Sequence, residues 1–179
     1  MELSMTNMID DQEIKIHTEA LQKAVPDPSA GLPDDIFYYI SRTTPLVNVD
    51  LLIKDENGRT LLAWRDDCHT GVGWHVPGGI VRFKETLEER IVRVAECEIG
   101  MAVEFDSAPI ALNQTINSQR DVRGHFISLL YKCFLASTFK PMNENILPGR
   151  AGYLMWHDGC PENLLQIQHM YRVFVDNDL

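Results

Sequence analysis

The chain has 179 residues, which suits one domain with a terminal extension, and 45% of them are hydrophobic, enough for a single packed core. Its 16 Lys and Arg against 26 Asp and Glu leave a formal charge of -10, which excludes a broad basic face for nucleic acid or for an anionic membrane. A phosphorylated small molecule stays compatible with that charge, provided a divalent cation or a few local arginines offset it.

No stretch has the length and apolarity of a transmembrane helix, and the first residues lack the basic start and apolar run of a secretory signal. Cys68, Cys97, Cys133 and Cys160 lie far apart with no CxxC pair. They read as reduced thiols of a cytoplasmic protein.

In chain order, residues 10–24 carry apolar side chains at helical spacing and run into a turn-rich linker around Pro26, Pro28 and Gly31. Residues 1–31 therefore read as an N-terminal helical extension, and 32–179 as the main domain. Pro33-Asp34-Asp35 opens a short helix. From Pro45 the period changes: LVNVDLLI, a turn at Glu56-Asn57-Gly58, and RTLLAWR predict a β-hairpin. A polar loop at 66–73 leads to a short extended piece ending in Pro77-Gly78-Gly79. Residues 86–99 predict the clearest helix, stopped at Gly100. Strands are expected at 102–115 and 124–136, separated by the polar loop INSQRDVR, then a short strand at YLMWH and a closing helix over 161–175. Strands on either side of a central helix, with a helix at each end, predict a mixed α/β sandwich.

Wound at about 100° per residue, the central helix puts Leu87, Ile91, Val94, Ala95 and Ile99 on one stripe, and Glu98 falls inside it. Glu88, Glu89, Arg93 and Glu96 fall on the opposite, solvated face. A carboxylate on an apolar stripe is costly unless it reaches water, is paired, or binds a cation. Mg²⁺ takes oxygen ligands, commonly one or two carboxylates plus substrate phosphates. A backbone carbonyl from the Gly78-Gly79 turn together with Glu98 would make a minimal site of that kind.

Gly79, Glu85, Arg93, Glu98 and Gly100, with Ala95 and Met101 at apolar positions, resemble the Nudix box, the loop–helix–loop signature of Nudix hydrolases. The resemblance implies a Nudix α/β/α sandwich with a mixed sheet. Two positions depart from the box, with Val94 and Cys97 where the family usually has glutamates. Such a reduced cluster suits one metal ion and removes the residue that serves some members as general base.

The wider pattern is similar to GDP-mannose mannosyl hydrolases. It runs from Ser41-Arg42-Thr43-Thr44-Pro45 through Asp50, Asn57-Gly58, Arg65, Trp74, Val76-Pro77-Gly78-Gly79 and Glu85-Thr86-Leu87-Glu88. That resemblance implies a homodimer and Mg²⁺ or Mn²⁺ held by Glu98 with the Gly78 or Gly79 carbonyl. It also implies contacts from Asp50 and Arg65 to a nucleotide sugar. Water would then attack the anomeric carbon and release a nucleoside diphosphate, with Arg65 neutralising the leaving group. The loop before the last strand, NENILPGRAGYLMW, lacks the histidine that these relatives carry, and Ile80 replaces a frequent arginine. His125 and Glu144 are the candidate general bases, each with a structural role as its alternative; His157, His69 and His75 rank behind them. Two other readings stand beside this one: ordinary Nudix cleavage of a P–O–P bridge, and a Nudix-fold module that binds a nucleotide sugar without turnover. The expected partner is in every case a small nucleoside diphosphate derivative.

Overall fold

The apolar run after Pro45 forms strand β1 (Leu46–Lys54), and every residue from Val49 to Lys54 is buried. A strand covered on both faces reads as a nearly continuous hydrophobic run, and that explains its composition. In this computed structural model residues 10–177 are described. The first nine residues of the expected extension lie outside them.

Along its whole length β1 runs parallel to β7 (His125–Phe134). Its other edge is shared. β2 (Thr60–Asp67) pairs with it only at Lys54↔Thr60, while β4 (Gly78–Ile80) pairs with Asn48–Asp50. The expected hairpin thus closes at its base and then splays. β2 turns away to pair with β3 (Gly71–His75) and β8 (Leu154–His157). The gap opened by this splaying is the site described below.

β5 (Glu104–Phe105) and β6 (Ala111–Ile116) both pair with β7, so the extended stretch expected at 102–115 is broken. Pro109 lies in the break, and a proline has no N–H to give to a ladder.

Helix α3 follows α1 (Asp11–Ala24) and α2 (Asp34–Ser41), and spans Leu87–Val94. It starts on a capping box in which Thr86 and Glu89 satisfy each other's backbone amides. Ile91, Val94, Ala95 and Ile99 pack with Val49, Leu51, Ile53 and Tyr131 on one face of the sheet. On the other face Leu52, Leu62, Trp74, Val76 and Leu130 meet Leu164, Tyr171 and Val175 from the C-terminal segment. The result is an α/β sandwich built on a mixed sheet. Each fully buried Leu or Ile in these layers contributes roughly 1.5–3 kcal/mol.

Two helices differ from expectation. The central helix leaves α geometry after Val94: Ala95–Ile99 is a π turn, closed by Gly100 N–H donating to Ala95 O at 3.0 Å. The closing helix does not start at Pro161. Trp74 N–H donates to Asn163 O at 3.0 Å and Leu165 N–H donates to Trp74 O at 2.8 Å, which holds residues 163–165 extended against β3. Only Gln166–Tyr171, as a 3₁₀ turn, and α4 (Arg172–Asp176) are helical. Helix α1 buries none of its residues.

Candidate active site

The floor of the site follows from strand register. Asp50 stands opposite Gly78, and a Cβ at Gly78 would collide with Asp50 Oδ1 and come within 2.8 Å of Val49 O. Only glycine therefore lets β4 close over this carboxylate. The Asp50 side chain accepts from Tyr171 Oη at 2.6 Å and from Asn48 Nδ2 at 2.8 Å. Burial pushes its pKa up to about 7, and the charge of Glu98 adds to the rise, against the opposing hydrogen bonds.

The wall comes from the π turn. At α periodicity Glu98 would lie beneath Val94, inside the apolar stripe. The wider turn brings Ile99 back to the core instead, 2% exposed, and leaves Glu98 facing the cleft with 29% of its side chain exposed. The carboxylate set on the apolar stripe thus reaches the cleft at its edge.

His75 stands between floor and wall. Its Nδ1 lies 2.7 Å from Ala63 O, which only a ring N–H can satisfy. Nε2 lies 3.2 Å from Arg65 Nη2, from which it accepts when the ring is neutral, and 3.6 Å from Glu98 Oε2. One ring nitrogen is thus anchored to backbone, and His75 borders the cleft.

Two connected lobes result. A smaller one of about 180 Å³ is lined by Asn48, Asp50, Gly78, Gly79 and Ser128. A larger one of about 560 Å³ is lined by Asp66, Glu98, Cys97, Met142 and Gly152. Arg65, His75 and Arg123 border both. In a chain of charge -10, the two guanidinium groups at this junction are the local positive device that a phosphorylated ligand needs.

The structure thus gathers Asp50, Arg65, Gly78, Gly79 and Glu98 around one cleft. It does not bring in His125 or Glu144. Phe126 and Ser128 of β7 face the cleft, so His125 points to the opposite face, where its Nε2 lies 2.9 Å from Gln114 Nε2. Glu144 is exposed because its neighbour Asn143 turns inward, bonding both backbone groups of Leu154 at 2.8 and 3.0 Å. Neither residue lines either lobe.

The remaining box residues build the frame. Glu85 accepts from Arg82 N–H and from Arg90 Nε, each at 2.8 Å, and its carboxylate is ion-paired with Arg90 Nη2 at 2.6 Å. Burial alone would raise its pKa, but these bonds outweigh it and hold the carboxyl below its usual range. Arg90, 8% exposed and not singled out in the sequence, is the partner; Arg93 is exposed on the far side. Gly79 sits against Val94, whose Cγ2 would meet an added Cβ at 2.8 Å. Val94 therefore belongs to packing, whereas Cys97 borders the larger lobe. Gly100 ends the π turn at φ 73°, the left-handed geometry favoured by glycine.

The sequence model of the NUDIX domain matches residues 44–149. The chain belongs to the Nudix family. Over 80 residues it is 41% identical to the low-salt glycan biosynthesis protein Agl8 of Haloferax volcanii, covering 45% of this chain and 51% of that protein. Over 87 residues it is 33% identical to the ADP-ribose pyrophosphatase of Methanocaldococcus jannaschii, covering 49% of each. The chain spans about half the length of the curated relatives it matches. The crystal structure of a MutT NUDIX hydrolase from Burkholderia pseudomallei superposes with a TM-score of 0.58 at 25% identity, covering 74% of this chain and 97% of that one. A possible asymmetric diadenosine tetraphosphate hydrolase from Jonesia denitrificans gives 0.55 at 20% identity, covering 76% and 99%. The latter likeness is one of fold.

Nudix hydrolases act on small nucleoside diphosphate derivatives, generally with a divalent metal such as Mg²⁺. The donor set of this Nudix cleft fits such an ion. Its oxygen donors are the part-exposed Glu98 carboxylate, bordering the larger lobe, and the backbone of Gly78 and Gly79, bordering the smaller, a set that suits one hydrated ion; among the described residues no group of three or more His, Cys, Asp or Glu is placed to hold a metal. Among the described residues no helix is long and apolar enough to cross a membrane.

Proposed function

We propose that this Nudix protein is a Mg²⁺-dependent, Mn²⁺-tolerant hydrolase of a nucleotide sugar, with water attacking the anomeric carbon and a nucleoside diphosphate leaving. The observation that carries the reading is the pairing of lobes: a small lobe with Asp50, Asn48 and Ser128 among largely apolar walls opens beside a cationic junction at Arg65. Carboxylate, amide and hydroxyl groups converging in a small cavity suit the hydroxyls of one sugar ring. The similarity to a glycan biosynthesis protein supports the same class of substrate. The hydrolase domain is taken as residues 32–179, with 1–31 as the extension. The mannosyl hydrolase likeness further implies a homodimer in the cytoplasm.

In this mechanism Glu98 and a carbonyl of Gly78 or Gly79 would hold the metal, which when bound neutralises diphosphate charge. Arg65 donates to the leaving phosphate and stabilises the charge that develops as the C–O bond breaks. A departing diphosphate is a good leaving group once neutralised, so no acid is required. Asp50 and Asn48 orient the sugar. His75 Nε2, 3.2 Å from Arg65 Nη2, would hold that guanidinium toward the leaving phosphate while the ring is neutral.

A second reading is cleavage of the P–O–P bridge, favoured by the similarity to an ADP-ribose pyrophosphatase. Incubating the protein and Mg²⁺ with a panel of nucleotide sugars separates the two. Free sugar plus nucleoside diphosphate supports the proposal; sugar phosphate plus nucleoside monophosphate supports the second reading. No turnover of any sugar nucleotide leaves a binding module.

A further inference from the structure

Arg123 lies in the loop between β6 and β7, a segment whose sequence is merely polar. It adopts φ 53°, a left-handed conformation that non-glycine residues enter only under strain. The fold imposes this from both sides. Asn117 N–H donates to Gly124 O at 2.7 Å, and a Cβ at Gly124 would meet Arg120 O at 2.7 Å, so the loop is tightly closed. From helix α2, Ser41 Oγ accepts the Arg123 N–H at 3.1 Å, and the Phe37 ring lies 5.8 Å from the guanidinium carbon. The outcome is a half-buried guanidinium delivered to the junction of the two lobes, with a buried Nε that has no hydrogen-bond partner among the described residues.

Arg65 borders the same junction. Burial lowers the affinity of Arg123 for its proton; Asp67, whose carboxylate also stands 3.7 Å from Arg65 Nε, opposes this, and Arg65 adds a smaller repulsion. A pair of half-buried like charges with an unsatisfied donor is an arrangement that a bound polyanion completes.

We propose that Arg123 and Arg65 form a clamp for the two phosphates of a nucleoside diphosphate, and that Arg123 makes the site prefer diphosphates to monophosphates. This rests on the reading of the cleft as a nucleoside diphosphate site. It assigns the junction to the diphosphate, the small lobe to the group attached to it, and the larger lobe to the nucleoside.

The test is calorimetric binding of ADP, GDP and UDP, each against its monophosphate, to the full chain with Mg²⁺. The wild type is expected to bind at least one diphosphate roughly ten- to a hundredfold more tightly than its monophosphate, the range that a charged hydrogen-bonding pair supplies. Arg123→Asn keeps a residue that tolerates the left-handed backbone but removes the guanidinium; it is expected to erase that preference while monophosphate binding stays within about threefold. Arg123→Lys keeps the charge without the fork, and is expected to lose severalfold of the preference even if the Asn variant folds poorly. Equal weakening of both ligands would mean a structural role and overturn the proposal. An undiminished preference in both variants would do the same, and so would a wild type without preference. Failure of the nucleotide-sugar reading is seen separately, as absent turnover by a wild type that still discriminates through Arg123.

Discussion

Tyr171 donates its hydroxyl to Asp50 Oδ2 at 2.6 Å across a sequence separation of 121 residues. The bond ties the C-terminal segment to the floor of the cleft, and Tyr171 is fully buried. Tyr171→Phe removes a donor from a buried carboxyl and is expected to cost about 1–3 kcal/mol of stability. The loss grows above neutral pH, where Asp50 is ionised and most needs the donor. Denaturant unfolding at pH 5.5 and 8.5 checks this; equal losses at both would count against it.

Asp50 also makes stability depend on pH. Its folded pKa of about 7 lies above the ordinary 3.8, so the folded chain keeps a proton that the unfolded chain has released. Stability is therefore unpenalised below about pH 4, falls as pH rises towards 7, and levels off beyond it. Asp50→Asn is expected to remove that slope. Its melting temperature should exceed the wild type's by more at pH 8 than at pH 5, while activity is lost. A constant difference across pH would show that Asp50 is not the source.

Gly78→Ala tests the packing of β4 over Asp50. The added methyl meets Asp50 Oδ1 and Val49 O, and backbone cannot retreat without breaking the β1–β4 pairing. A destabilisation of about 1–3 kcal/mol is expected. Gly149→Ala, with nothing within 4 Å of its Cβ but a φ of 79°, is the strain-only control and should lose less.

Much of this was readable in the sequence because it depends on local rules. The alternation and composition of residues 46–54 gave the central strand, and Gly79, Glu85 and Gly100 gave the loop–helix–loop. Glu98 stood out as a misplaced carboxylate, but its true direction depends on the π turn, which α periodicity cannot foresee. His75 was obscured because its role needs the Ala63↔His75 pairing of β2 with β3. Arg123 was obscured because a left-handed backbone, set by Gly124 and Ser41, decides where it points. The closing helix starts later than expected because Leu164 and Leu165 have helical propensity, yet Asn163 O and Leu165 N–H bond to the backbone of Trp74 in β3. Non-local pairing overrode local preference there.

Glu98→Gln tests the metal site with little change of shape. Turnover and Mn²⁺ affinity are both expected to fall at least about tenfold to a hundredfold, no less than the loss of an outer-shell partner costs. The melting temperature without metal should stay close to that of the wild type, since Glu98 faces the cleft and packs little. Unchanged metal affinity would remove Glu98 from the ligand set.

The central claim is attack at carbon, and hydrolysis of a turned-over nucleotide sugar in ¹⁸O-labelled water tests it most directly. Mass spectrometry of both products locates the label. The account predicts one ¹⁸O in the free sugar and none in the nucleoside diphosphate. Label in a phosphate group would contradict it and place this Nudix protein among enzymes that attack phosphorus.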